Sequence, residues 1–237
     1  VALPSDLSGL QVWYKASTLA LSSGNPVSSW LDSSGNGRTI QQSNASLQPI
    51  FQTGLSGISV GKAVRFDGTD DFMQTVAGVN WSTIFGALNY TLFALVNFRT
   101  ASGTGEVFTD GNGVIGMRSV VSSGVLQAFQ SPDLVNTGTL VVGAWEKCLV
   151  MRRNVSAGIF VGVDNFADAG LNSTGSTGNP ATARIRLGQV SASDQFDVVE
   201  AFGFNRALTE AERLQMSDYL DTLISSSGSG TGIVLVL

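Results

Sequence analysis

The acidic and amide residues gathered in turns are the positions at which this chain could do chemistry. Asp32, Asn36, Asp67, Asp70 and Asp71 place short oxygen-bearing side chains in glycine-containing loops. Such groups are the hard ligands that calcium prefers. Asp70 and Asp71 lead this set, because two adjacent carboxylates call for a counter-charge. Calcium is therefore the one cofactor expected. Asp and Asn also cap turns through their own backbone and tolerate left-handed conformations, and Asp67-Gly68 is itself a tight-turn dipeptide. Both readings stand at this level.

A second constellation suits the binding of sugars, which takes aromatic faces for stacking and amides or charged groups for hydroxyls. Trp81 and Tyr90 lie in loop-like sequence, and Asn112 and Arg118 flank a Gly-rich turn and the strand after it. These four are the ligand-binding candidates. The competing reading for the two aromatics is a hydrophobic plug beneath a loop. Trp13, Trp30 and Trp145 fall in strand patterns and are expected in the core.

Covalent chemistry has little to work with. The chain has no histidine and one cysteine, Cys148, which removes the usual zinc sites and every His-dependent triad. Without a base to activate it, Cys148 reads as a small buried hydrophobe. Of the five glutamates, Glu210 and Glu212 are explained by the start of a helix, leaving Glu106, Glu146 and Glu200.

Those candidates must be positioned by strands. The chain has 237 residues, 28 of them Gly, with only 13% charged, a composition suited to short strands joined by many turns. Thr91–Phe98 is a nearly continuous apolar run, as expected of a central strand covered on both faces. Arg184-Ile185-Arg186-Leu187 alternates and should have one wet face. Val125–Phe129 and Leu140–Trp145 are further expected strands of a two-sheet core. The one strong helix signal comes late. Thr209 and Glu212 form a capping box, and Met216, Tyr219, Leu220 and Leu223 then recur at helical spacing, giving a stripe that can lie on a sheet.

The net charge of -5 and the lack of Lys/Arg clusters speak against nucleic acid as a partner. No apolar run approaches the ~20 residues of a membrane span. No signal peptide is recognisable, and the start at Val1 leaves room for an upstream segment. Residues 1–224 read as one domain and 225–232 as a flexible Ser/Gly linker. Ile233, Val234, Leu235, Val236 and Leu237 form an apolar tail, which could add as a strand to its own sandwich or to a neighbouring chain.

Four segments stand out by motif and order: the opening strand Leu10–Ser17, the segment Val27–Gly37 with its Asp-x-Ser-Gly-Asn-Gly turn, Ala63–Phe72 with Arg-Phe-Asp-Gly-Thr-Asp-Asp, and Ile159–Asn165. They resemble, in the same order, segments of the laminin-G-like group of concanavalin A-like jelly rolls found in bacteria and their phages. With the closing strand and helix they cover about residues 7 to 224. The resemblance implies an all-β, two-sheet antiparallel jelly roll with one C-terminal helix, whose loops can meet at one end to hold calcium. Glucanases of this fold carry Glu-x-Asp-x-x-Glu on one strand face, so that two carboxylates flank the glycosidic bond. None of the five glutamates here falls into that pattern. A lyase of this fold would ordinarily use a histidine, which is missing.

The expectation is a non-catalytic, surface-exposed module of a larger assembly, a phage virion or a bacterial surface. It would serve adhesion and recognition of cell-surface glycans and meet neighbouring subunits through the tail. A purely structural virion decoration or capsid-stabilising protein is the first alternative, and a carbohydrate-active enzyme the last. An extracellular or virion-surface location goes with each of the first two.

Overall fold

The computed structural model describes residues 1–225 apart from 87–88, 101–102, 121–123, 131–132, 138, 154–157, 175–182 and 189–193. The expected linker beyond Ser225 and the apolar tail 233–237 lie outside the described residues. In chain order the strands begin with β1 (Leu10–Lys15), β2 (Ser29–Trp30), β3 (Ile40–Gln41), β4 (Ile50–Thr53), β5 (Lys62–Phe66), β6 (Phe72–Thr75), β7 (Asn89–Phe98) and β8 (Thr104–Asp110). They continue as β9 (Ile115–Val120), β10 (Val125–Gln130), β11 (Asp133–Thr137), β12 (Trp145–Arg153), β13 (Ile159–Val163), β14 (Asn172–Thr174), β15 (Ile185–Gly188) and β16 (Phe196–Phe204). A short helix α1 (Trp81–Phe85) precedes β7, and α2 (Glu210–Leu223) follows β16.

Two antiparallel sheets form the expected sandwich. The first runs β14-β13-β12-β7-β16-β5-β4, with β1 also pairing β16; the second runs β11-β10-β9-β8-β15-β6-β3-β2. One edge of β16 serves two partners, since Phe196–Val198 pair β5 while Glu200–Phe204 pair β1. Between the sheets lies one core that includes Trp30, Phe51, Trp81, Leu92, Val96, Phe108, Val150 and Ile185.

The two outer faces differ, and the difference determines where a ligand can bind. On the first sheet the outer face carries Phe93, Leu95, Leu149, Met151, Phe202 and Phe204, and Met216, Tyr219, Leu220 and Leu223 of α2 lie on them. This explains the unbroken apolar run of β7, which is buried on both sides. The capping box forms as expected: the Glu212 N–H donates to Thr209 Oγ1 at 3.3 Å, and the Thr209 N–H donates to Glu212 Oε2 at 2.9 Å. A buried carboxylate ties the helix down. Glu200 Oε2 accepts from Trp13 Nε1 at 2.7 Å and from Tyr219 Oη at 2.8 Å, joining β1, β16 and α2.

Two sequence expectations are corrected here. Leu140–Ala144 is a turn leading into β12 rather than part of a strand. Gly143 takes φ +87° there and donates its N–H to Phe98 O, leaving Val141 and Val142 exposed. Trp145, expected in the core, is only partly buried at the rim of the outer layer, where its indole N–H donates to Ser56 O. Trp13 and Trp30 are buried as expected, and so is Cys148, whose thiol pKa is pushed well up by burial.

Candidate functional site

The outer face of the second sheet carries polar side chains in register across the strands. Asn136 of β11 faces Gln127 of β10, Gln127 faces Arg118 of β9, and Arg118 faces Glu106 of β8. On the far side Arg186 of β15 pairs Gln74 of β6, and Gln74 pairs Gln41 of β3. The period-2 geometry of a strand explains the row. Ile185 and Leu187 enter the core, so Arg186 and, one repeat earlier, Arg184 point the other way. One end of the row is hydrogen-bonded: Arg118 Nε donates to Gln127 Oε1 at 2.7 Å, and Gln127 Nε2 donates to Asn136 Oδ1 at 2.6 Å.

Two aromatic rings lie under this row. The Arg118 guanidinium sits 4.6 Å from the Phe129 ring centroid, and the Arg186 guanidinium lies 4.6 Å from that of Phe72. Glu106 stands between the arginines. Burial raises its carboxyl pKa, and the charges of Arg118 and Arg186 partly offset that. Arg186 is drawn below its usual value by burial, against the attraction of Glu106 and Asp110.

Beside Arg186 the face opens into a cavity of about 290 Å³ lined by Gln74, Asn80, Gly111, Asn112, Ala183, Arg184 and Arg186. Asn112 sits on the β8–β9 turn, which Asp110 holds by accepting the N–H groups of Val114 at 2.6 Å and Ile115 at 3.0 Å. Asn80 and Arg184 form an isolated bridge that closes the opposite wall.

The four ligand-binding candidates are thus divided. Asn112 and Arg118 lie on this face. Trp81 and Tyr90 do not: both are 0% exposed and belong to the inter-sheet core. Trp81 starts α1 rather than sitting in a loop, and its ring meets Phe85 at 4.9 Å, Tyr90 at 5.4 Å and Phe108 at 6.2 Å. They are the plug, not the contact. Sequence reasoning missed Glu106, Gln127, Gln74, Arg184 and Arg186 as site residues. The arginines had a legible signal in the Arg-Ile-Arg-Leu alternation, whereas single amides on wet strand faces carry none.

The metal candidates separate as well. Asp67, Asp70 and Asp71 offer carboxylate oxygens within 4.8 Å of one another, a cluster that could bind a metal such as calcium. It sits in the β5–β6 turn, directly before the Phe72 ring that underlies Arg186. Asp32 and Asn36 are elsewhere and already engaged. Asp32 Oδ1 accepts from the Trp13 and Ser34 N–H groups, both at 2.9 Å. Its Oδ2 accepts from Ser34 Oγ at 2.8 Å and from the Arg38 N–H at 3.0 Å. The Asn36 amide donates to Leu10 O and Gln11 O. These two residues bind the second turn to β1, and the carboxylate has no lone pair left for an ion.

Within the acidic cluster, the carboxyl of Asp71 is pushed up to about 6 by burial and by the charges of Asp67 and Asp70. The folded chain therefore keeps a proton that the unfolded chain releases nearer its ordinary 3.8. Stability from this group is full below that value and is lost as pH rises through about 6. Glu146, pushed up to about 7 by burial and by Asp164, acts in the same sense. Without added cation, lowering pH from about 7.5 to about 5.5 is expected to raise the melting temperature by roughly 2–4 °C, the effect of about 1 kcal/mol in a chain of this size. Asp71→Asn should shrink that rise. A melting temperature that falls over the same interval would contradict the assignment.

Neither a protein-family model nor a curated protein matches the sequence. Solved structures do match the fold. Trypanosoma rangeli sialidase in complex with the inhibitor DANA is 15% identical, with a TM-score of 0.64 over 95% of this chain and 36% of that one. The binding domain of botulinum neurotoxin serotype D is 8% identical, with a TM-score of 0.62 over 90% of this chain and 51% of that one. The receptor binding domain of botulinum neurotoxin type G is 9% identical, with a TM-score of 0.62 over 90% and 52%. The chain spans about a third of the sialidase and about half of each toxin domain. At these identities the likeness shows the fold alone, a two-sheet antiparallel jelly-roll sandwich.

Proposed function

We propose that the outer face of the second sheet is a non-catalytic carbohydrate-recognition surface. The observation that carries this reading is the asymmetry of the sandwich. The outer face of the first sheet is filled by α2, whereas that of the second presents amides and guanidiniums in a row, hydrogen-bonded at one end, over two phenylalanine rings. Planar amide and guanidinium groups suit vicinal hydroxyls, and the apolar surface beneath suits the C–H face of a sugar ring. Two of the structural neighbours are named as binding domains of toxins, one of them as receptor-binding, which agrees with a recognition role for this sandwich. A recognition role without catalysis is supported by the carboxylates. Glu106 lies between two guanidiniums, and nearby Asp110 is fully buried and holds the β8–β9 turn. Two-carboxylate glycoside chemistry needs a flanking pair.

The laminin-G-like subtype and a place on a phage virion or bacterial surface belong to the same proposal. They are supported by the sequence resemblance and by the composition of the apolar tail. Calcium at Asp67, Asp70 and Asp71 is part of it too, as a brace for the turn that precedes Phe72.

A glycan array tests the proposal. The chain is expected to retain a restricted set of saccharides, and Arg118→Ala or Gln127→Ala to weaken them about tenfold, the worth of one or two polar contacts. Each variant should remain folded, with a melting temperature lower by a few degrees at most, about 2–4 °C per kcal/mol in a chain of this size. Retention of no saccharide would refute recognition and leave the structural-decoration reading.

A further inference from the structure

The cavity beside β15 has an unusual charge for a chain of net charge -5. Two guanidiniums and three amides line it, from Arg184, Arg186, Gln74, Asn80 and Asn112, with no carboxylate among the described lining residues. Arg184 makes no ion pair with any described residue. Arg186 is stacked on Phe72, weakly bonded to Gln74 Oε1 at 3.4 Å and attracted by Glu106 and Asp110, and its buried Nε has no hydrogen-bond partner among the described residues. Arg184 is the bridge residue directly before β15 and Arg186 lies two residues on, so in extended backbone their side chains share a face. The charge of Arg184 adds to burial in lowering the pKa of Arg186. Glycine at 111 keeps the wall thin: a Cβ there would stand 3.4 Å from Arg186 Nη2.

From this arrangement we infer that the cavity is the subsite for an acidic sugar, in which Arg184 and Arg186 hold the anionic group and Asn80, Asn112 and Gln74 the neighbouring hydroxyls. The inference rests on the recognition role proposed above and narrows its ligand. A guanidinium pair is matched by the paired oxygens of a carboxylate or a sulfate ester, and charge-assisted bonds of this kind are roughly twice as strong as neutral ones. A neutral sugar would leave Arg184 without an ion-pair partner among the described residues. The volume of about 290 Å³ fits one ring of an oligosaccharide rather than a long segment.

The test is calorimetric titration of the full chain with acidic oligosaccharides, each beside its neutral counterpart. Suitable pairs are oligogalacturonate with its carboxyl-reduced form, sialyllactose with lactose, and a sulfated galacto-oligosaccharide with the desulfated one. At least one acidic member is expected to bind tenfold or more tightly than its neutral partner and to weaken as salt is raised. Which pair responds distinguishes carboxylate from sulfate. Arg184→Gln should remove the preference, weakening the acidic member far more than its neutral partner, and Arg184→Lys should keep part of it. Equal binding of acidic and neutral members would overturn the acidic subsite and leave recognition standing. A preference untouched by Arg184→Gln would overturn the location. Failure of every saccharide to bind would overturn both.

Discussion

Trp81→Ala is expected to destabilise the fold by about 3–5 kcal/mol, the usual cost of removing a large buried aromatic. Trp81 is 0% exposed and stands where α1 turns the chain into β7, with Phe85, Tyr90 and Phe108 around it. Its loss would open a cavity among rings contributed by both sheets. Trp81→Phe should cost much less, because the indole Nε1 has no hydrogen-bond partner to lose. Denaturant unfolding of the two variants checks this. A stable Trp81→Ala protein with weakened sugar binding would restore Trp81 as a ligand contact.

Glu200→Ala is the second large effect. The carboxylate is 3% exposed and accepts from Trp13 Nε1 and Tyr219 Oη, residues that are themselves 5% and 6% exposed. Removing it strands two buried donors, each costing about 1–3 kcal/mol, so a total of about 2–6 kcal/mol is expected. Glu200→Gln keeps an acceptor and should cost about 1 kcal/mol. The loss should also loosen α2, because Tyr219 bonds the helix to the sheet alongside the contacts of Lys147 with Ser217 and Asp221. An α2 whose amides exchange no faster in Glu200→Ala than in the parent would contradict this role.

Local signals were the legible ones. Thr209 and Glu212 are three residues apart, and their box forms as read. The apolar run of Thr91–Phe98 announced a strand covered twice, and β7 lies between β12 and β16 with the core on one side and the helical layer on the other. Trp81 was read as a loop aromatic because a five-residue helix has too few turns to show a period, and Phe108 reaches it only through the fold. Asp32 looked like a calcium ligand because two of its partners, the backbone of Trp13 and of Arg38, are fixed by tertiary structure. Asp67, Asp70 and Asp71 could be grouped because one short turn holds them all. The polar row was invisible for the opposite reason. Asn136, Gln127, Arg118 and Glu106 come from successive strands whose register the sequence does not print.

Amide hydrogen exchange with and without a saturating saccharide tests the central claim most directly. Slowed exchange confined to β8, β9, β10 and β15 and to the turn at Gly111–Asn112 is the expected result. Protection centred on α2 or on the β1–β2 segment, with the outer face of the second sheet unchanged, would contradict it.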